Sequence, residues 1–84
     1  MTDQVEGEEA KHEHDYFIFV DGAKVYFETD EVTGAQIKQR AGKPDNYQLF
    51  LEQPGRPDKL IQDQELVKIH NGQHYHTVPP ATFG

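Results

Sequence analysis

The segment Tyr16–Phe27, YFIFVDGAKVYF, sets two runs of β-branched and aromatic residues on either side of Asp21-Gly22. Two such runs joined by two turn residues signal a β-hairpin, because Asp-Gly accepts the positive φ values of a type I′ turn, whose twist matches that of its strands. The turn also sets the register: Val20 faces Ala23, Phe19 faces Lys24, Ile18 faces Val25, Phe17 faces Tyr26 and Tyr16 faces Phe27. One face then holds Tyr16, Ile18, Val20, Ala23, Val25 and Phe27 and is expected to be the core side. The other holds Phe17, Phe19, Lys24 and Tyr26. Three aromatics facing outward exceed what solubility requires, so this face is either a contact surface or covered by another part of the chain.

The core must come from 84 residues, of which 35% are hydrophobic and none is Cys. Chains this short bury a small fraction of their surface, and here no disulfide or thiolate metal site can act as a staple. The missing Cys also removes thiolate catalysis and redox exchange. Ser is absent as well, and no Thr occupies a recognisable nucleophile motif, so the chain is expected not to be an enzyme. A net charge of −7 opposes binding to a phosphate backbone, and nucleic acid is not an expected partner. No apolar run approaches the roughly 18 residues of a membrane span, and the N-terminus is acidic where a signal peptide would be basic. The expected location is the cytoplasm, with no membrane partner.

Residues 1–14 carry Asp3, Glu6, Glu8, Glu9 and Glu13 against Lys11 alone. They cannot bury enough apolar area to offset backbone ordering and are expected to form a disordered acidic arm, a solvated spacer ahead of one domain over residues 15–78. Within the domain, Thr33-Gly34-Ala35-Gln36 has the spacing of a capping box, with Val32 and Ile37 placed as its hydrophobic staple. Gly42 and Pro44 end the helix, which predicts one short helix over about residues 34–41 with Ile37 and Ala41 on its buried side. Tyr47–Leu51 alternates as a third strand, with Tyr47, Leu49 and Leu51 inward and Gln48 and Phe50 outward. Leu60-Ile61 is a short strand, and Leu66–Ile69 is expected to pair with His74–Val78 around a second type I′ turn at Asn71-Gly72. Pro79-Pro80 ends all pairing, leaving residues 79–84 as an extended tail. Hairpin, helix, strand, short strand and closing strand describe an α+β fold, a mixed sheet wrapped on one helix in the β-grasp plan.

The segments FIFVDGAKVYFET, AGKPDNYQLFLEQPG and HYHTVPPATFG resemble the prokaryotic ubiquitin-like proteins, in particular the bacterial multi-ubiquitin type domain, over about residues 15–84. GKPDNYQLFLE is similar also to ubiquitin itself, where a helix-ending Gly and a following Pro lead into the third strand. The resemblance implies a protein modifier joined to targets through the carboxylate of Gly84. An activating (E1-like) enzyme, a conjugating (E2-like) enzyme, a deconjugating metalloprotease and a target protein are its implied partners. Pro79, Pro80, Ala81, Thr82 and Phe83 would enter the partner enzymes in extended form. Ubiquitin-like tails usually end in Gly-Gly, so Phe83 implies partners shaped for a bulky penultimate side chain.

The resemblance also implies that the solvent side of the sheet serves recognition, which makes Phe17, Phe19, Tyr26 and Phe50 the candidate docking patch. The competing reading is that the Asn71-Gly72 hairpin or the tail covers them. His74 and His76, two apart on one strand, offer a pair of metal ligands, but neither His70 nor the arm's His12 and His14 is positioned as a third, so no metal and no cofactor is expected. Lys11, Lys24, Lys38, Lys43, Lys59 and Lys68 are unranked as acceptors of a modifier chain. Two other uses of the fold remain open. One is a sulfur carrier whose terminal carboxylate becomes a thiocarboxylate. The other is a non-covalent adaptor that binds through its aromatic face.

Overall fold

Asp21 and Gly22 both take positive φ, 51° and 84°, as a type I′ turn requires. In the computed structural model, which describes residues 15–81, β1 (Tyr16–Val20) and β2 (Ala23–Phe27) pair antiparallel in the expected register. Ile18, Val20, Val25 and Phe27 are buried and Tyr16 packs against them. Ala23 is exposed instead, because it follows the turn on a strand at the sheet edge.

In chain order the remaining elements are β3 (Glu31–Thr33), α1 (Gly34–Arg40), β4 (Gln48–Leu51), β5 (Lys59–Ile61), β6 (Leu66–Lys68) and β7 (Gln73–Val78). Five strands form one sheet in the order β2-β1-β7-β4-β5. β7 runs parallel to β1 and antiparallel to β4, which makes the sheet mixed. Ile37 of α1 joins Ile18, Val20, Leu49, Ile61 and Tyr75 in one core cluster, so the helix closes the inner face. This is an α+β domain of the β-grasp type.

The helix has seven residues, too short to persist alone, and both its ends are closed by side chains and turns. The Thr33 hydroxyl accepts from the Gln36 amide while the Gln36 side chain accepts from the Thr33 amide, completing the capping box. At the other end the Gly42 amide donates to Gln39 and the Lys43 amide to Lys38, the two bonds of a Schellman motif. Gly42 takes the left-handed conformation that this motif needs, φ 75°. The first helical amides are also satisfied, Gly34 by the Glu65 carbonyl and Ala35 by that of Asp63. The approach is so close that a Cβ on Gly34 would run into the Gln62 carbonyl.

The expected hairpin about Asn71-Gly72 does not form. β6 pairs instead with β3, a strand that sequence patterning does not reveal, in a separate two-stranded sheet with Val32 opposite Val67. The Asn71-Gly72 turn is present, but it docks on β1: Asn71 Oδ1 accepts from the Phe17 amide and the Gly72 amide donates to the Phe17 carbonyl, each at 3.0 Å. Buried Ile69, whose amide donates to the Asp30 carbonyl, ties the preceding residues to β3. The turn therefore hands the chain from one sheet to the other, and β7 enters between β1 and β4 with both its edges bonded.

Candidate functional site

Strand alternation decides which side chains of the five-stranded sheet face away from the helix. On β7, buried Tyr75 points inward, which turns His74 and His76 outward. The Tyr75 hydroxyl reaches the Gln73 side chain at 3.0 Å, and burial pushes its pKa up from 10.0 to about 12. On β1 and β4, inward Ile18 and Leu49 likewise turn Phe17, Phe19 and Phe50 outward.

The four aromatics of the candidate patch share this outer face, but they form two groups. Phe17 lies edge-on to Phe19 with ring centroids 5.9 Å apart and is tilted against Tyr26 at 6.5 Å. Lys24 extends its ammonium over the Phe17 ring at 4.5 Å, a cation–π contact that also reaches Tyr26. Phe50 stands two strands away and stacks on His76 at 5.3 Å. The histidines of β7 stand between the groups, one on each: His74 lies opposite Phe19 in the parallel ladder and stacks on it at 4.9 Å. The face thus reads across the strands as Tyr26 and Lys24, then Phe17 and Phe19, then His74 and His76, then Phe50, with Leu60 beyond it on β5.

Phe17, Phe19, Phe50 and His76 are half-buried, while His74 is exposed and Tyr26 and Leu60 each stay 38% exposed. Neither a hairpin nor Pro79–Ala81 is paired across them among the described residues. The face is electrostatically graded. Lys24 marks the β2 side, and the ring nitrogens of His76 lie 3.3 Å from Glu52 and 3.6 Å from Asp58 on the β5 side. A groove of about 850 Å³, lined in part by Glu52, Arg56, Asp58, Asn71 and His74, opens beside this acidic end. Among the described residues no group of three or more His, Asp or Glu is arranged to hold a metal ion. His74 and His76, considered from the sequence only as metal ligands, are instead the centre of the ring array. Their two-residue spacing showed that they share a face, but their register against Phe19 and Phe50 depends on pairing distant in sequence.

The lysines are no longer equivalent. Lys38 is buried, its ammonium held by the carbonyls of Asp45 at 2.6 Å and Tyr47 at 2.8 Å and by the Asp63 carboxylate at 2.7 Å. Lys43 pairs with Asp21, Lys59 with Glu65 and Lys68 with Asp30, all on partly or fully exposed side chains. The Lys59 hydrogen bond, helped by the Gln62 amide, holds the Glu65 carboxyl below its ordinary value of 4.5.

β7 ends at Val78, and Pro79, Pro80 and Ala81 follow it exposed and outside any strand. Thr82, Phe83 and Gly84 lie outside the described residues, as do the arm 1–14 with Lys11, His12 and His14. No helix among the described residues is long and apolar enough to cross a membrane.

No curated protein and no solved structure matches the chain. The family model described as multiubiquitin matches residues 16–76, which takes in every strand except the last two residues of β7, together with the helix and the ring-bearing face. On that span, well over half its length, the chain belongs to the multiubiquitin family.

Proposed function

We propose that the domain is a ubiquitin-like protein modifier, attached to its targets through Gly84 and recognised through the outer sheet face. In this reading the carboxylate of Gly84 attacks the α-phosphorus of ATP on an activating enzyme and pyrophosphate leaves. A conjugating-enzyme thiol then displaces AMP, and a target nucleophile displaces the thiol. A deconjugating metalloprotease reverses the attachment by hydrolysis. The domain contributes a carboxylate and a surface, and the catalytic groups belong to its partners.

The observation that carries the reading is membership of the multiubiquitin family in a β-grasp domain whose last strand opens directly into an exposed, unpaired segment. An acyl group delivered into another protein's active site must stand clear of the fold. Pro79 and Pro80, with no amide hydrogens, keep the chain from continuing the sheet at that point.

A second reading, the non-covalent adaptor, is favoured by the outward rings, Tyr26, Phe17, Phe19 and His74 in one group and His76 with Phe50 in the other, which offer a surface for docking whether or not the tail reacts. Deleting Gly84 separates the two. A modifier loses all covalent adducts in cells containing its partner enzymes and keeps its fold. An adaptor retains its function.

A further inference from the structure

We propose that Asp21, Lys43 and Thr77 form a clamp that fixes the last strand to its end, so that the chain leaves the sheet at one defined point. The role we assign to this clamp, positioning the tail for transfer, rests on the modifier reading above.

The parallel ladder between β1 and β7 stops at Val20 opposite Tyr75, because β1 then turns away into the hairpin. Thr77 would have no strand beside it on that edge. Asp21 takes the place of the missing strand. Its amide donates to the Tyr75 carbonyl at 2.9 Å, its Oδ1 accepts from the Thr77 amide at 3.0 Å, and its Oδ2 accepts from the Thr77 hydroxyl. Lys43 adds its ammonium at 3.2 Å from the same Oδ2. On the opposite edge Val78 is paired with Gln48. One edge of β7 is therefore held as far as Thr77 and the other as far as Val78, the residue before Pro79.

Three independently determined features meet here: the type I′ turn, the Schellman end of α1, which places Lys43, and the end of β7. An Asn-Gly turn would serve the hairpin as well as Asp-Gly. Only the carboxylate offers two acceptor oxygens to Thr77 and a charge to Lys43. Burial pushes the Asp21 carboxyl up, but the bonds from Thr77 and the Lys43 charge outweigh this and hold it below its ordinary value of 3.8. The clamp is thus formed with Asp21 ionised.

Backbone amide exchange, followed by NMR on the full chain, tests the clamp in the free protein. Asp21→Gly removes the carboxylate while tolerating the positive φ. Asp21→Asn keeps an acceptor for the Thr77 amide and loses the charge. Asp21→Gly is expected to speed exchange at Thr77 by about 10- to 100-fold more than at Ile18 and Leu49, consistent with losing a bond to a charged acceptor, with Asp21→Asn in between. No change at Thr77, or an equal rise at all three positions, overturns the clamp.

The positioning role is read with a ubiquitin-type activating enzyme and ATP. An unclamped strand end must be ordered on docking, so Asp21→Gly should raise KM for the modifier severalfold with kcat held. An unchanged KM, or a fall in kcat alone, overturns positioning. A wild-type chain that no activating enzyme of its own cells adenylates, alongside the expected exchange pattern, overturns the modifier reading and leaves the clamp standing.

Discussion

Lys38→Met is expected to be among the most damaging single changes to this domain outside the apolar core, although Lys is ordinarily a surface residue. The lysine side chain is 4% exposed and its ammonium touches three oxygens. Two of them are carbonyls of the loop joining α1 to β4, so the charge holds that loop to the helix. A hydrogen bond to a charged group is worth about 1.5–3 kcal/mol. Asp63 is 55% exposed and returns to water when its partner is lost, so its share is closer to the 0–1 kcal/mol or so of a surface pair. Methionine keeps most of the packing of the aliphatic stem and no longer requires an ammonium to be desolvated, which offsets part of the loss. The net expectation is about 2–4 kcal/mol, or a Tm lowered by roughly 10–25 °C for a domain of this size. Chemical and thermal denaturation followed by circular dichroism measure it directly. Arg40→Met, on the same helix, is the control: its pair with Glu28 spans 3.3 Å between side chains about half exposed and should be worth under about 1 kcal/mol. A Lys38→Met cost no larger than that of Arg40→Met would refute the reasoning. The same burial predicts that an amine-reactive label on the folded protein modifies Lys59 and Lys68 well before Lys38.

Three further outcomes are expected. Gly34→Ala should lose about 1–3 kcal/mol in the same denaturation assay despite its better helix propensity, because the added methyl meets the Gln62 backbone carbonyl, which cannot move without displacing the turn that caps the helix. Alkaline titration should destabilise the domain from about pH 10: the Tyr75 hydroxyl titrates near 10.0 unfolded and about 12 folded, so between these values the unfolded state binds fewer protons and stability falls as pH rises, a slope that Tyr75→Phe removes. Phe50→Ala should weaken a partner bound on the outer face by at least tenfold, about 1.4 kcal/mol, while leaving the core cluster intact and the fold cooperative; a variant that unfolds instead would show Phe50 to be structural.

What the sequence discloses here depends on how far apart the interacting residues lie. The β1–β2 register followed from two turn residues and the alternation beside them, and the helix from Thr33, Gln36 and Gly42, all within one turn of the groups they satisfy. Asn71-Gly72 is equally local and did make a turn, but a turn signal does not say which strands it joins. Here the flanking segments found better partners: Leu66–Lys68 on Glu31–Thr33, and Gln73–Val78 between two strands at once. The outer aromatics were legible as a face because strand parity is local. Their division into two groups, one stacked on His74 and the other on His76, was not, since it rests on the pairing of Phe19 with His74 and of Phe50 with His76. Lys38 and Asp21 were hidden for the same reason. One stood among six unranked lysines and the other was read only as a turn residue, until the chain brought Asp63 to the first and Thr77 to the second.

The central claim, a modifier acting through Gly84, is tested most directly by intact-mass spectrometry of the protein recovered from its own cells while its activating and conjugating partners are expressed. Ester-preserving and reducing preparations should be run in parallel. The account predicts species heavier by a whole protein, with the junction mapped to Gly84. Finding only the unmodified chain under those conditions, or a terminal oxygen replaced by sulfur, would contradict it.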